Sequence, residues 1–398
     1  MKTASKLLYI LASFVLMLAA SSCHKEIEKP AEREKGLRTV LVYQVANNNL
    51  GTSQYNEMDI KEMMEGAAAG AIPRDGRLLV YNAGPNANPL LFEITATGND
   101  TLKTYTTDLY SVQSERMLEV LDDMQKFAPS NQYGLVLWSH GSGWIQDGMD
   151  DPEDTGITPM SFGADRSRTM NITTLANTLA KGPELDFIYF DCCYMASVET
   201  LYELRHAAPV IAASATELLV YGMPYEQNLG DFFSPTADLV SAAGNTFRLY
   251  DHLTGSNRTC TMSVINTAGL EGLAKATAAI YSAANGNMPA SYEPQRFMNR
   301  GISSCTYFDF KQYVEALCID ADGAERFEGA TTLLADFNNS LAECVEYAAA
   351  TPYLWNSVPL TYHCGLSTFI LENDSNSTYK NYNTLSWYAD VASKLKFY

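Results

Sequence analysis

The sequence predicts an α/β protein built on a mostly parallel sheet with helices on both of its faces. From Leu37 onward, short apolar runs alternate with amphipathic stretches. The apolar runs are continuous rather than alternating, which is typical of strands that are buried on both faces. Because strands that alternate with helices usually pair in parallel, one doubly covered sheet is the expected architecture.

Six apolar runs are predicted strands, separated by helical patterns. The strands cover residues 39–46, 77–84, 133–141, 185–191, 208–214 and 261–267. The helical patterns cover residues 57–70, 114–128, 171–181 and 196–207. We therefore predict one α/β domain over residues 37–267, interrupted by an aperiodic loop over 145–168 that is long enough to be functional.

The remaining residues, 268–398, are predicted to form an α/β region that packs against the first sheet rather than folding alone. Helical patterns cover residues 269–283, 307–317 and 331–350, and an apolar run over 363–372 reads as a strand.

The N-terminus has the organisation of an export signal. Lys2 and Lys6 precede an apolar stretch over residues 7–20, and small residues lead to Cys23, which is the order of a secretory signal peptide. The Ala-Ser-Ser-Cys ending resembles a bacterial lipobox, so we predict a lipoprotein signal over residues 1–22 and lipidation of Cys23. An ordinary signal peptide is the alternative. The charged stretch 23–36 is predicted to be a disordered tether.

Charge and cysteine content exclude several functions. The formal net charge is −19, which argues against affinity for nucleic acid or anionic lipid headgroups. The seven cysteines after Cys23 show no C-x-x-C pair and no regular spacing, so neither a zinc site nor a disulfide framework is predicted. The acidic run 147–154 could bind calcium, but it matches no EF-hand spacing, and we predict no cofactor.

Reactive residues follow two of the predicted strands. One strand ends at His140-Gly141 and the next at Asp191-Cys192-Cys193. Ligands of open α/β sheets bind beyond the carboxyl ends of the strands, so His140 and one cysteine are candidates for a shared site. Only one of the two adjacent cysteines can face that site. Cys193 is nearer the next helix, whose N-terminus would lower the thiol pKa.

The pattern of strand-His-Gly followed by strand-Asp-x-Cys-x-Met-x-x-x-Glu resembles the clostripain-like cysteine peptidases, relatives of gingipains, legumains and caspases. The matching residues are His140, Gly141, Asp191, Cys193, Met195 and Glu199. The resemblance implies a caspase-like three-layer αβα sandwich. It spans residues 39–398, and its specific motifs lie around His140 and Cys193.

The resemblance implies a role for each matching residue. Cys193 would be the nucleophile and His140 the general acid, and the N–H groups of Gly141 and Cys193 would form the oxyanion hole. Asp191 would bind a basic side chain of the substrate, whereas its alternative role is to cap the next helix. Self-cleavage in the loop after His140 would have to use Arg166 or Arg168.

These observations predict an exported, lipid-anchored cysteine endopeptidase of the bacterial cell envelope that cleaves proteins or peptides after Arg or Lys. The alternative is an inactive homologue that serves as a surface binding lipoprotein, since Asn47 stands where the family usually has Asp. Serine hydrolase chemistry is not expected, because the sequence lacks a G-x-S-x-G elbow. Glu217 is expected to be an exposed loop residue, although it could form a second wall of the substrate pocket.

Overall fold

A computed structural model describes residues 35–145, 161–285, 289, 293–297, 307–370 and 382–396. The predicted signal peptide, lipidation of Cys23 and acidic run 147–154 lie outside these residues. The strands are β1 Gly36–Val45, β2 Gly76–Ala83, β3 Leu90–Thr95, β4 Gly98–Thr104, β5 Ser130–Trp138, β6 Phe162–Asp165, β7 Arg168–Met170, β8 Phe187–Asp191, β9 Val210–Ala213, β10 Thr261–Asn266, β11 Arg296–Phe297, β12 Tyr307–Asp309, β13 Val345–Ala350, β14 Tyr353–Leu354, β15 Val358–Pro359 and β16 Ser367–Phe369.

The α-helices lie mainly between these strands, as expected for crossover connections. They are α1 Asn49–Thr52, α2 Tyr55–Ala68, α3 Ser114–Phe127, α4 Ile172–Leu179, α5 Val198–Glu203, α6 Tyr225–Phe232, α7 Leu239–Asp251, α8 Leu270–Ala284, α9 Phe310–Cys318, α10 Ala330–Cys344 and α11 Ser386–Asp390. Within the described part of the chain, none of the helices is long and apolar enough to span a membrane.

Nine of the strands form one sheet in the order β13-β10-β9-β8-β5-β1-β2-β3-β4. Its five central strands, from β9 to β2, are parallel, and the two strands added at each side are antiparallel. All six strands predicted from the apolar runs belong to this sheet. The prediction of a mostly parallel, doubly covered α/β sheet is confirmed.

Two hydrophobic cores lie on opposite faces of the sheet, which makes three layers. Helices α2, α6 and α7 cover one face through residues such as Met63, Leu229 and Ala242. Helices α3, α4, α5 and α8 cover the other face, and α9 and α10 extend that core. The central strands are buried on both faces, which is why their sequences are continuously apolar.

Several predicted elements differ from the observed ones. Residues 345–350 extend the sheet as strand β13, paired with β10, although we predicted helix there. Residues 307–309 are strand β12, and Asp309 caps helix α9 by accepting a hydrogen bond from the Gln312 N–H at 3.0 Å. The alanine-rich end of 345–350 favours helix, and pairing with β10 overrode that propensity. Tyr307 and Phe308 are strand-favouring residues, and they pair with β16.

Other elements were not predicted at all. Strand β4 was missed because it is a polar strand at the sheet edge. Strand β3, which is more apolar, also had no prediction. Strand β6 lies within the predicted loop 145–168, its hairpin partner β7 begins at the last residue of that loop, and helices α6 and α7 also had no prediction.

The C-terminal region is joined to the first sheet by backbone pairing. Strand β13 is an edge strand of the nine-stranded sheet, and the Ser367 N–H at the start of β16 donates to the Ala196 carbonyl at 3.0 Å. The described residues from Lys35 onward form one compact unit.

Candidate active site

The sheet register brings His140 and Cys193 to the same edge. Strands β5 and β8 are parallel neighbours whose last paired residues are Trp138 and Asp191. His140 and Cys193 each follow two residues later, on strands about 4.8 Å apart. A Cβ built on Gly141 would lie only 2.6 Å from the Cys193 carbonyl oxygen. The turns after β5 and β8 are therefore in contact.

Both residues line a cavity of about 560 Å³ at the carboxyl ends of these strands. Its other walls are the start of α1, at Leu50, and the loop 217–222 that follows β9. Gly141, Asp191 and Asn257 also line it. This is the position at which α/β sheets bind ligands.

The two adjacent cysteines have different environments. Cys192 is 2% exposed and packs in the core, where its thiol donates to the Leu137 carbonyl at 3.7 Å. Cys193 is only partly buried and lines the cavity. Its thiol donates to the Leu218 carbonyl at 3.4 Å. Of the two sulfurs, that of Cys193 is the one that a ligand in the cavity would meet.

The predicted lowering of the Cys193 pKa is wrong. Burial and the negative charge of Glu217 raise the pKa of this thiol to about 12. Helix α5 begins only at Val198, with Ser197 as its N-cap, so the helix N-terminus is too far along the chain for its dipole to act on Cys193. At neutral pH a pKa raised in this way favours the protonated thiol.

His140 is half-buried at the cavity rim, and burial lowers its imidazole pKa. Its Nε2 lies 2.7 Å from Oδ1 of Asn49, the first residue of helix α1. Asn49 was not among the predicted site residues. The available signal was its place in an Asn-Asn-Asn run directly after the central strand β1.

Gly141 is held by an isolated antiparallel bridge to Phe162. The bridge consists of hydrogen bonds from the Gly163 N–H to the His140 carbonyl at 3.0 Å and from the Ser142 N–H to the Ser161 carbonyl at 3.3 Å. Neither bond engages the Gly141 N–H, which is the group that the sequence analysis assigns to an oxyanion hole.

The residue after Cys193 has a strained backbone. Tyr194 has a φ of 60°, in the left-handed region that bulky side chains rarely occupy, and such strain typically costs about 1–3 kcal/mol. Its N–H donates to the Thr216 carbonyl at 3.0 Å, and its ring stacks on Tyr307 with centroids 5.6 Å apart. These contacts stabilise a sharp turn directly after Cys193.

Asp191 lies at the base of the cavity and is 5% exposed. It accepts hydrogen bonds from the Tyr225 hydroxyl at 3.1 Å and from the Met223 N–H at 3.5 Å. The alternative that it caps the next helix is wrong, because Ser197 caps α5 by accepting from the Thr200 N–H. Burial raises the Asp191 pKa to about 6.

A second carboxylate, Asp59 of helix α2, was missed by the sequence analysis. It accepts a hydrogen bond from the Trp138 indole N–H at 2.6 Å. A Cβ on Gly222 would lie 3.0 Å from Oδ2 of Asp191 and 3.4 Å from Oδ2 of Asp59. Burial and the Asp191 charge raise the Asp59 pKa. Two acidic side chains thus converge on the space that Gly222 leaves open.

Glu217 is not the exposed loop residue that we expected. It is half-buried, lines the cavity, and accepts a hydrogen bond from the Tyr194 hydroxyl at 3.3 Å.

The sequence of the chain matches the family model described as the clostripain family over residues 42–395. The match covers most of the chain. The chain belongs to the clostripain family. No curated protein matches it.

Solved structures of C11 cysteine proteases have the same fold. An inactive zymogen C11 protease from Parabacteroides distasonis is 28% identical, with a TM-score of 0.74, and the match covers 90% of this chain and 99% of that one. A secreted C11 cysteine protease from Bacteroides thetaiotaomicron, in complex with an irreversible peptide inhibitor, is 28% identical, with a TM-score of 0.72 and coverage of 89% and 98%. The resemblance to this family is thus confirmed, as is its caspase-like α/β fold.

Two further residues of the clostripain-family pattern have structural contacts here. The Met195 sulfur packs 3.1 Å from the position of a Cβ on Gly141. Glu199 is fully buried and accepts hydrogen bonds at 2.8 Å from the Phe369 N–H and from the Thr368 hydroxyl. Glu199 therefore ties helix α5 to strand β16 of the C-terminal region.

The other residues weighed in the sequence analysis lie outside the cavity. Asn47 donates to Asp165 at 3.0 Å. Arg166 is in the β6–β7 turn, where its guanidinium stacks 3.8 Å above the Tyr110 ring, and Arg168 is in β7. Within the residues that the structure describes, no group of three or more His, Cys, Asp or Glu side chains is arranged to hold a metal ion.

Proposed function

We propose that this clostripain-family chain is a cysteine endopeptidase that cleaves after Arg or Lys, with Cys193 as nucleophile and His140 as proton carrier. The observation that carries the proposal is that both side chains line one cavity, reached from adjacent strand ends in matching register. Gly141 and Asp191 line the same cavity, and we assign to them the other parts that peptide hydrolysis needs, an oxyanion donor and a pocket for a basic side chain.

The reaction begins from a neutral thiol and a neutral imidazole, because burial raises the Cys193 pKa and lowers the His140 pKa. Cys193 transfers its proton to His140 as the sulfur bonds to the scissile carbonyl carbon. His140 then gives that proton to the amine as the C–N bond breaks, leaving a thioester. Water hydrolyses the thioester and returns the proton to sulfur.

The N–H groups of Gly141 and Cys193 are proposed to bind the oxyanion. The contact between Gly141 and the Cys193 carbonyl places these two backbone segments side by side. Since a side chain at position 141 would clash with that carbonyl, only glycine permits this approach.

Asp191 is proposed to select basic residues at the cleaved bond. It is buried at the base of the cavity, and Asp59 places a second acidic side chain behind Gly222. A lysine or arginine side chain that enters this space would pair with carboxylates shielded from water, where charge pairing is strong.

Peptide hydrolysis by single-residue variants tests the proposal. We expect the wild-type chain to cleave peptides after Arg or Lys, and Cys193→Ala to reduce kcat at least about a thousandfold. Cys192→Ala is the matched control and should keep most of the activity.

Asp191→Asn should lower kcat/KM for Arg and Lys peptides about a hundredfold. Full activity in Cys193→Ala, or equal rates after Ala and Lys, would contradict the assignment.

A second candidate is a catalytically inactive homologue that acts as a binding protein. Two observations favour this candidate: the Cys193 thiol donates a hydrogen bond to the Leu218 carbonyl, and its pKa is raised to about 12. A protonated thiol is a poor nucleophile. An alkylating peptide probe with a lysine or arginine recognition group separates the candidates. Covalent labelling of Cys193 supports the peptidase, and tight reversible binding without labelling supports the binding protein.

We also propose that the chain is exported and anchored by a lipid on Cys23. The lipobox-like ending at Cys23 supports the anchor, and the similarity to a secreted Bacteroides protease supports export. Expression in a bacterial host with a labelled fatty acid tests it: label should enter the wild-type chain but not Cys23→Ser.

A further inference from the structure

The His140 ring is oriented by a side-chain amide from a different strand end. Its Nε2 lies 2.7 Å from Oδ1 of Asn49. An amide oxygen only accepts hydrogen bonds, so Nε2 must carry the hydrogen. In a neutral imidazole the lone pair then belongs to Nδ1. The contact with Asn49 therefore selects one of the two ring tautomers.

Asn49 is itself held by a local framework. It is the first residue of α1, and the Asn48 side chain caps that helix by accepting from the Leu50 N–H at 2.9 Å. The Asn48 amide nitrogen donates to the Val45 carbonyl at 2.9 Å and to the Ala164 carbonyl at 2.7 Å. Strand β1 lies next to β5 in the sheet. The backbone that carries Asn49 is thus anchored next to strand β1, the neighbour of β5.

We propose that Asn49 is a positioning residue of the active site, which fixes the orientation and tautomer of His140 so that Nδ1 exchanges protons with Cys193 and the substrate. The proposal rests on the proposed peptidase function. During the reaction Nδ1 takes the thiol proton as the S–C bond forms and releases it to the amine as the C–N bond breaks. The Nε2–H remains bonded to Asn49 in both steps and stabilises the imidazolium between them.

The chain provides a matched control in the same asparagine run. Asn47, two residues earlier, donates to Oδ1 of Asp165 at 3.0 Å and does not line the cavity. Asn49 is exposed, so its truncation should leave the fold intact. Asn47→Ala removes the same atoms from the same loop without touching the imidazole.

Other groups in the cavity also bear on the titration of His140. The carboxylates that line the same cavity are Asp191 at the end of β8 and Glu217 in the loop after β9, and the thiol of Cys193 faces it as well. Each of these groups is retained in every variant below, so differences between the variants report the substitution at position 49.

Nitrogen NMR of ¹⁵N-histidine-labelled protein tests the proposal without any need for catalysis. The chain has five histidines, and His140→Ala assigns the signal. We expect the Nε2–H tautomer in the wild type and in Asn47→Ala, and a mixture of tautomers in Asn49→Ala. In Asn49→Asp the added carboxylate should raise the His140 pKa. An unchanged tautomer and titration in both position-49 variants would overturn the proposal.

Kinetics supply the second readout. Asn49→Ala should lower kcat about ten- to a hundredfold with little change in KM, and Asn47→Ala should leave kcat near the wild-type value. Asn49→Asp should recover part of kcat and move the acid limb of kcat/KM to higher pH. An equal loss in Asn47→Ala would show a structural effect and overturn the proposal. If the wild type cleaves no peptide, the proposed function fails, and the NMR result still decides the role of Asn49.

Discussion

Burial shifts the pKa values of the two residues that we propose to be catalytic. The thiol of Cys193 loses water and faces the charge of Glu217, so its pKa rises to about 12. The imidazole of His140 loses water as well, so its pKa falls. Both shifts favour the neutral forms, in contrast to a thiolate–imidazolium pair. In the proposed reaction, proton transfer would therefore have to coincide with formation of the S–C bond.

The rate at which iodoacetamide alkylates Cys193 is expected to depend on pH differently from that of an ordinary thiol. Because the thiolate is the reactive form and its pKa is raised, the thiolate fraction at pH 8 is on the order of 10⁻⁴. The rate should rise about tenfold per pH unit from pH 7 to 9 without a plateau. Peptide mapping of the folded protein measures it.

A substitution near the sulfur provides the control for this experiment. Glu217→Gln removes the negative charge that raises the thiol pKa, so alkylation at a given pH should become several times faster. A plateau of the wild-type rate below pH 9 would show that the thiol pKa is not raised.

At the residue level, sequence motifs identified only some of the residues in and around the cavity. His140, Asp191 and Cys193 could be named because each follows an apolar strand and matches a family pattern. Asn49 and Asp59 could not be named, since they come after strand β1, about 80 to 90 residues before His140 in the chain. Their proximity to the site depends on β1 lying beside β5 in the sheet.

Among the elements, the loop 217–222 closes the cavity and sets its depth. Leu218 contacts the Cys193 thiol, and Val220 and Tyr221 are large apolar residues with exposed fractions of 40% and 42% at its rim. Gly222 has a φ of 61° and, having no Cβ, leaves open the space next to the carboxyl groups of Asp191 and Asp59. The loop thus combines an apolar rim with an acidic base.

Gly222→Ala is expected to impair cleavage after basic residues. The new methyl group would lie 3.0 Å from Oδ2 of Asp191 in a left-handed backbone conformation that alanine disfavours. We expect kcat/KM for Lys and Arg peptides to fall about ten- to a hundredfold. Gly230→Ala in α6, where a Cβ meets no atom within 4 Å, is the control and should be neutral. Unchanged cleavage in Gly222→Ala would place the basic side chain elsewhere.

Across the whole molecule, the active-site helix is joined to the C-terminal region through Glu199. Helix α5 follows Cys193 in the chain, and Glu199 binds the backbone and side chain of strand β16. The Tyr307 hydroxyl of β12 donates to the Ser142 carbonyl at 2.6 Å, beside the turn after His140. The C-terminal region therefore supports both turns that carry His140 and Cys193.

Glu199 should also make stability depend on pH. Burial raises its folded-state pKa from about 4.5 to about 7, so its stabilising contribution is fully present below pH 4.5 and is lost as pH rises toward 7. Glu199→Gln keeps the acceptor oxygen but does not titrate. Between about pH 4.5 and 7, the free energy of unfolding of the wild type should therefore fall by about 3 kcal/mol relative to that of Glu199→Gln.

Denaturant unfolding at several pH values measures this difference. The exposed Glu184→Gln is the control and should leave the pH dependence of unfolding as in the wild type. A Glu199→Gln protein with the same pH dependence as wild type would show that the pKa of Glu199 is the same in the folded and unfolded states.

The sequence by itself determined the central strands, the helices between them and the two turns that carry His140 and Cys193. Those features depend on local periodicity and on side chains that follow a strand directly, and both are visible in a short stretch of chain. Only the tertiary structure decided the protonation state of the thiol, the partner of the imidazole and the second carboxylate. Each of these depends on burial and on contacts between residues far apart in the chain, which arise only when the parallel strands pair in register.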